Sequence, residues 1–308
     1  MALMRTARVL FIISCFIIAI SAGLGSGRAE SSKGLWQENP LLIGLIPEQN
    51  LFKQVERYEP LADYLSQKCG VEIRLKILTR YGNIVSNFVS LGMDGAFFGS
   101  FTYALAHIKL GVEVLARPEG LDGTSTYHGL IFVRQDSGIK SIRDMKGKTF
   151  AFVDRATMAG YLLPLAYFKE HGISDYETYL KETYFTGTHE AAIYDVLDKK
   201  ADVGAAKNTI YKRISDADSR IKNELVILEK SPKVPENGLA VRRNLDNSLK
   251  QDLKAALLRM HEDPTGKEIL RDFGARRFIE TRDEDYKPVF RYAREIDLDL
   301  ATYDYVNQ

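Results

Sequence analysis

The sequence predicts an α/β protein of two lobes with a ligand cleft between them, and three observations carry this. Short apolar runs of strand length alternate with stretches of helical spacing. The rhythm breaks at residues 117–126, which are rich in Gly, Asp and Thr. A second alternating block then begins with a long extended segment, residues 127–134. Repeated strand–helix alternation favours a mainly parallel sheet flanked by helices in each lobe.

In chain order, the run Leu41 to Ile46 reads as a buried strand ended by Pro47. Tyr58, Leu61, Ala62, Leu65 and Cys69 recur at helical spacing, and Gly70 supplies the stop. Val71, Ile73, Leu75 and Ile77 alternate with polar residues, a strand of period two. A helix over 82–91, a strand over 95–98, a helix over 102–110 and a strand over 112–116 complete the first block. The second block reads as strands at 149–154, 183–185, 202–205 and 225–229, with helices at 159–170, 190–200 and 209–214 between them. A further extended segment, 238–242, leads into sequence that reads as purely helical. There Leu245, Leu249, Leu253, Leu257 and Met260 form one stripe, and Pro264 opens the next helix. Lobe 1 is thus expected to combine residues 30–127 and 240–308, and lobe 2 to span 128–239. The hinges fall near 127–134 and 237–242, where closure would trap a ligand.

The first 29 residues stand apart. Arg5 and Arg8 precede a 12-residue apolar run from Val9 to Ile20, and small residues follow up to Ala29. That pattern is a secretory signal peptide, shorter than the roughly 20 residues of a spanning helix. An uncleaved anchor is the alternative. Cys15 belongs to the apolar run. Beyond residue 29 the one cysteine is Cys69, so no intrachain disulfide forms in an exported chain; it reads as a buried thiol at a helix end. With 42 Lys+Arg against 41 Asp+Glu over 308 residues, no basic field points to nucleic acid. A hydrophobic fraction of 45% excludes a disordered chain.

Enzyme signatures are thin. Gly23 to Gly27 resembles a dinucleotide loop but follows no strand. The five histidines show no zinc spacing, there is no nucleophile elbow, and Cys69 has no evident base. No catalytic residue, metal or cofactor is expected. The strand-to-helix junctions say more. At Asp154-Arg155-Ala156-Thr157-Met158-Ala159-Gly160 and at Thr186-Gly187-Thr188-His189-Glu190, small and hydroxylated residues feed a helix start. Helix N-termini carry free N–H groups and positive partial charge, which favour an oxyanion. Plain capping by Thr157 and Thr188 explains the same residues.

These junctions are also where a family resemblance lies. Ile43-Gly44-Leu45-Ile46-Pro47, Glu59-Pro60-Leu61-Ala62-Asp63-Tyr64-Leu65 and Ala96-Phe97-Phe98-Gly99-Ser100-Phe101-Thr102-Tyr103 carry it in the first block. Gly147-Lys148-Thr149-Phe150-Ala151-Phe152, Gly160-Tyr161-Leu162-Leu163-Pro164 and Thr186 to Ala192 carry it in the second, and Asp263 to Lys267 and Tyr286 to Val289 at the end. Their order and spacing from Leu42 to about Val289 resemble the phosphate/phosphite/phosphonate substrate-binding proteins of ABC transporters.

The resemblance implies a type II-like, two-lobed periplasmic binding fold that captures a small anionic ligand and delivers it to a membrane permease, with no enzymatic activity. The alternative is a sensing module that serves a membrane receptor and takes a non-phosphonate ligand. A monomer outside the cytoplasm is expected. By position, Tyr81, Tyr127 and His189 would contact the anion, with Thr157 as a further donor and Ser100 beside them. Met158, Ala159, Gly160, Lys207 and Asn237 are further candidates. The chain departs from the family at Thr157-Met158-Ala159-Gly160, where a Ser-Thr-Ser-Gly run is usual, so two of three hydroxyls are gone. Arg155 stands where a proline is usual, facing either solvent or the pocket. Where family members with aminoalkyl ligands have acids, Thr209 and Asn237 stand near Lys207, which disfavours a cationic ligand tail.

Overall fold

The computed structural model describes residues 39–306; the expected signal peptide lies outside them. The elements are β1 (Leu41–Leu45), α1 (Leu51–Cys69), β2 (Ile73–Ile77), α2 (Asn83–Ser90), β3 (Gly95–Phe98), α3 (Ser100–Leu110), β4 (Glu113–Gly120), β5 (Thr126–Tyr127), β6 (Gly129–Arg134) and β7 (Thr149–Phe152). Next come α4 (Leu163–Glu170), α5 (Tyr176–Tyr179), β8 (Glu182–Phe185), α6 (His189–Leu197), β9 (Val203–Lys207), α7 (Asn208–Ala217), α8 (Ser219–Glu224) and β10 (Leu225–Lys230). β11 (Val234–Pro235), β12 (Gly238–Val241), α9 (Asn247–Arg259), α10 (Pro264–Phe273), β13 (Ala275–Glu280) and α11 (Lys287–Glu295) complete the chain.

Two sheets form the two lobes. The first has the order β13-β4-β12-β3-β1-β2 and the second β10-β6-β9-β7-β8. Both are mixed rather than mainly parallel. In the first, β1 pairs in parallel with β2 and β3, whereas β12 runs antiparallel to β3 and β4, and β13 antiparallel to β4. In the second, β7 is parallel to β8 and β9, but β6 is antiparallel to β9 and β10. The reversed strands β6 and β12 are those by which the chain passes between lobes. They enter each sheet from the end opposite to a strand delivered by a crossover helix, and alternation of elements does not reveal this. The two passages meet in a short antiparallel ribbon, with Val234 opposite Tyr127 and Pro235 opposite Thr126.

The tail is not purely helical, and the loop expected at 117–126 is shorter than its composition suggests. β4 continues through Pro118 to Gly120 because β13 pairs with it, with a bulge between Ala275 and Arg277. Gly274, at φ +85°, ends α10 and turns the chain into β13.

Local chemistry explains the helices that matter for the cleft. The Asn50 side chain accepts from the N–H groups of Phe52 and Lys53, and Gly70 at φ +65° terminates α1. The stripe Tyr58, Leu61, Ala62 and Leu65 is buried, with Tyr58 packed edge-on to Phe97 at 5.1 Å. Burying such a side chain stabilises by about 1.5–3 kcal/mol. Cys69 is only half-buried, and burial pushes its thiol up to about 11. Among the described residues no helix is long and apolar enough to cross a membrane.

After α11 the chain runs over both lobes. Asp297 pairs with Lys169 of α4 at 2.6 Å, and the Ala301 carbonyl accepts from Lys109 of α3 at 2.7 Å. Tyr303 packs against Phe101 and donates its hydroxyl to the Arg155 carbonyl at 2.9 Å.

Candidate functional site

The carboxyl ends of several strands converge between the lobes, and helices start there: α3 directly after β3, α6 after β8, and α7 directly after β9. A π-helical turn, Met158–Leu162, follows β7 and runs into α4. The first N–H groups of each helix lack an intrahelical acceptor and point along the helix toward this space. Of the residues expected from sequence, Tyr81, Tyr127, Thr157, Met158, His189, Lys207 and Asn237 line one small cavity of about 10 Å³. That is room for about one water. A tetrahedral oxyanion is larger, so it enters only as the lobes part or side chains shift.

Ser100, Ala159 and Gly160 stand behind this wall. Ser100 is fully buried and shares a hydrogen bond of 2.6 Å with the Tyr127 hydroxyl, which it orients. Ala159 packs beneath Gly129, whose backbone comes so close that a Cβ there would meet Leu163 and Ala159. Gly160 is needed because a Cβ would overlap the side chain of Val153.

The donors are fewer than the hydroxyl count suggests. The Thr157 hydroxyl donates to the Asp154 carbonyl at 2.6 Å, inside its own turn, and makes no cap. Thr102, also in the wall, donates to the Gly99 carbonyl at 3.0 Å. Thr188 is a cap: its hydroxyl oxygen accepts from Ala191 N–H at 3.0 Å. Tyr81 differs from all of these. It is 3% exposed, its ring meets His189 edge-on at 5.8 Å, and its hydroxyl has no hydrogen-bond partner. Burial raises its pKa well above the usual value, so it stays a neutral donor. An unpaired buried hydroxyl costs free energy unless a ligand satisfies it.

His189 is buried at the first position of α6, and its Nδ1 accepts from the Lys207 N–H at 3.3 Å. The proton therefore sits on Nε2, the nitrogen left to donate. Burial lowers its pKa to about 3, so the ring is neutral at physiological pH.

Lys207 and two carboxylates form the charged side of the site. Lys207 Nζ lies 3.0 Å from Glu48, 2.6 Å from Glu236 and 2.9 Å from Asn237 Oδ1, and 4.5 Å from the centre of the Tyr127 ring. Burial opposes the ammonium, but Glu236 and Glu48 outweigh it and raise the Lys207 pKa. Burial likewise opposes the Glu48 carboxylate, yet Lys207 holds it at about 2. Sequence reasoning missed both acids and found only Thr209 and Asn237 nearby. Glu48 follows β1 across Pro47, at the carboxyl end of a strand where ligands of α/β sheets bind. That placement was the available signal.

Arg155 does not enter the cavity wall; its guanidinium lies over the Tyr161 and Phe185 rings at 5.9 and 5.7 Å. Among the described residues no group of three His, Cys, Asp or Glu is placed to hold a metal.

Comparison with known proteins gives a consistent picture. A family model described as "ABC transporter, phosphonate, periplasmic substrate-binding protein" matches residues 43–286. The phosphonates-binding periplasmic protein of Escherichia coli K12 is 26% identical over 264 residues, covering 83% of this chain and 77% of its own. A probable ABC transporter phosphite-binding protein of Prochlorococcus marinus MIT 9301 is 22% identical over 267 residues, 83% of this chain and 89% of its own. Among solved structures, a phosphonate-transporter binding protein of Pseudomonas aeruginosa superimposes with a TM-score of 0.78 at 23% identity, covering 84% of this chain and 87% of that one. A Prochlorococcus marinus protein in complex with methylphosphonate gives 0.74 at 21% identity, with 83% and 98% covered. At these identities the superpositions establish the two-lobed fold.

Proposed function

Because the chain belongs to the periplasmic substrate-binding proteins of phosphonate ABC transporters, we propose that it captures a small phosphorus oxyanion between its lobes and hands it to a membrane permease. The family is one of binding proteins, not enzymes. The observation that carries the ligand class is the buried, unpartnered Tyr81 hydroxyl facing the cavity beside His189. Tyr81 and His189 Nε2–H donate to the anion, and N–H groups at the starts of the turn from Met158 and of α6 supply the remaining positive potential. Tyr127, oriented by Ser100, donates when Ser100 turns its own proton inward. Thr157 and Asn237 shape the wall.

In this reading the described residues of one lobe are 39–127 with 240–306, and those of the other 128–239. The lobes hinge at the ribbon of 126–127 and 234–235 rather than inside 237–242, most of which is the central strand β12. Residues 1–29 direct export, and one chain binds one ligand. Thermal unfolding with phosphite, methylphosphonate, phosphate, sulfate and small carboxylates tests this. A true ligand at 100 times its Kd stabilises by about 2.7 kcal/mol. A response to sulfate or carboxylates with none to phosphorus oxyanions would reject the reading.

A further inference from the structure

Next to the cavity is a second pocket of about 80 Å³, lined by Arg57, Thr124, Thr209 and Arg213 among others. The two spaces share three wall residues, Glu48, Lys207 and Asn237. The partition between them is therefore the Lys207 side chain with its partners. Resting on the functional reading above, we infer that Lys207 is the specificity-determining residue that limits the ligand's length. It confines the site to compact oxyanions and shuts out those bearing an extended substituent.

The geometry of the ammonium supports this. A lysine has three N–H donors, and Nζ has three oxygen acceptors within 3.0 Å, from Glu48, Glu236 and Asn237. No proton is left over for an anion, so Lys207 acts as a wall and not as a ligand group. It is also pinned. Its side chain is 4% exposed, the ammonium lies over the Tyr127 ring, and its backbone is fixed at the end of β9 by the bond to His189. Glu48 follows β1 of the first lobe and Lys207 ends β9 of the second, so the wall is assembled when the lobes are together. Shortening the side chain joins the two spaces and takes from Glu48 and Glu236 the cation hydrogen-bonded to them, while Arg57 and Arg213 remain in the wall of the second space. A ligand whose own ammonium reaches them would replace the missing charge.

The experiment compares methylphosphonate with 2-aminoethylphosphonate by titration calorimetry on the wild-type protein, Lys207→Ala and Lys207→Met. Wild type is expected to favour methylphosphonate at least a hundredfold. Lys207→Ala should shrink that ratio at least tenfold or reverse it, whereas Lys207→Met, which refills the space without the charge, should keep most of it. If Lys207→Ala does not fold, Lys207→Ala with Glu48→Gln and Glu236→Gln removes the stranded charges. Propylphosphonate then replaces the amine, with gain of binding over wild type expected. Wild-type affinities for the methyl and aminoethyl ligands within threefold of each other would overturn the inference alone. An unchanged ratio in Lys207→Ala, or no gain for propylphosphonate in the triple variant, would do the same. Failure of wild type to bind either phosphonate, phosphite or phosphate would overturn the functional reading and this inference with it.

Discussion

The backbone N–H of Lys207 donates to Nδ1 of His189 at 3.3 Å, so the strand that carries the buried ammonium also fixes which imidazole nitrogen bears the proton. Stability should follow pH accordingly. Burial lowers His189 from 6.5 to about 3, and Lys207, prevailing over burial, lowers Glu48 from 4.5 to about 2. Between each pair of values the unfolded chain holds a proton that the folded one does not, so stability rises with pH. Both contributions are complete above pH 6.5. That of His189 fades from there down to about 3, and that of Glu48 from 4.5 down to about 2. Calorimetric midpoints from pH 8 to pH 3 should fall below 6.5, and His189→Asn should flatten the part between 6.5 and 4.5. A midpoint level from pH 7 to pH 5 would contradict this.

Tyr81→Phe removes a hydroxyl that has no partner in the fold. Apo stability should hold or rise, while oxyanion affinity drops by about 1.5–3 kcal/mol, the worth of a hydrogen bond to a charged group. Titration calorimetry beside thermal unfolding separates the two effects. An affinity equal to wild type would show that the hydroxyl does not meet the ligand.

His189→Ala is a poor probe of binding, because it also empties a buried site and strips the Lys207 N–H of its acceptor. It should cost both stability and affinity. His189→Asn offers an oxygen near the Nδ1 position but no group at Nε2, so it should retain more stability than the alanine variant while binding equally poorly. Equal stability of the two variants would mean that the bond to Lys207 contributes little.

Gly160→Ala puts a methyl group into Val153. Overpacking of this kind costs about 1–3 kcal/mol, and the displaced turn moves the N–H groups that face the cavity. Both the midpoint and the affinity should fall. A variant as stable as wild type would show that the turn yields easily.

Much of the fold was legible because local signals agreed with it. Gly70 and Gly111 end their helices where the apolar stripes stop, and β1 and β3 are apolar runs buried in a central sheet. The two chief misses are one event. β4 beyond Ala116 and β13 each look irregular alone, since Pro118 and Arg276-Arg277 argue against strand and the buried Ala275 and Phe278 are three apart, as in a helix. Only their pairing with each other, across about 160 residues, makes both strands. The site shows the same limit. Tyr81 and His189 were found through the family resemblance, with Lys207 as a further candidate near Thr209 and Asn237. Glu48 and Glu236 each sit beside a proline and read as loop acids, and which charge lies opposite Lys207 is decided by the meeting of two lobes.

The run of chain after α11 bears on how accurately those lobes meet. Bodies joined by one narrow ribbon can twist against each other as well as bend. Asp297 on α4, Ala301 on α3 and Tyr303 on Phe101 and Arg155 fasten both bodies at a place outside the ribbon. Held at this second place, the bodies have fewer ways to turn against each other than the ribbon alone would leave them, which favours one alignment of Tyr81 from one side with His189 from the other.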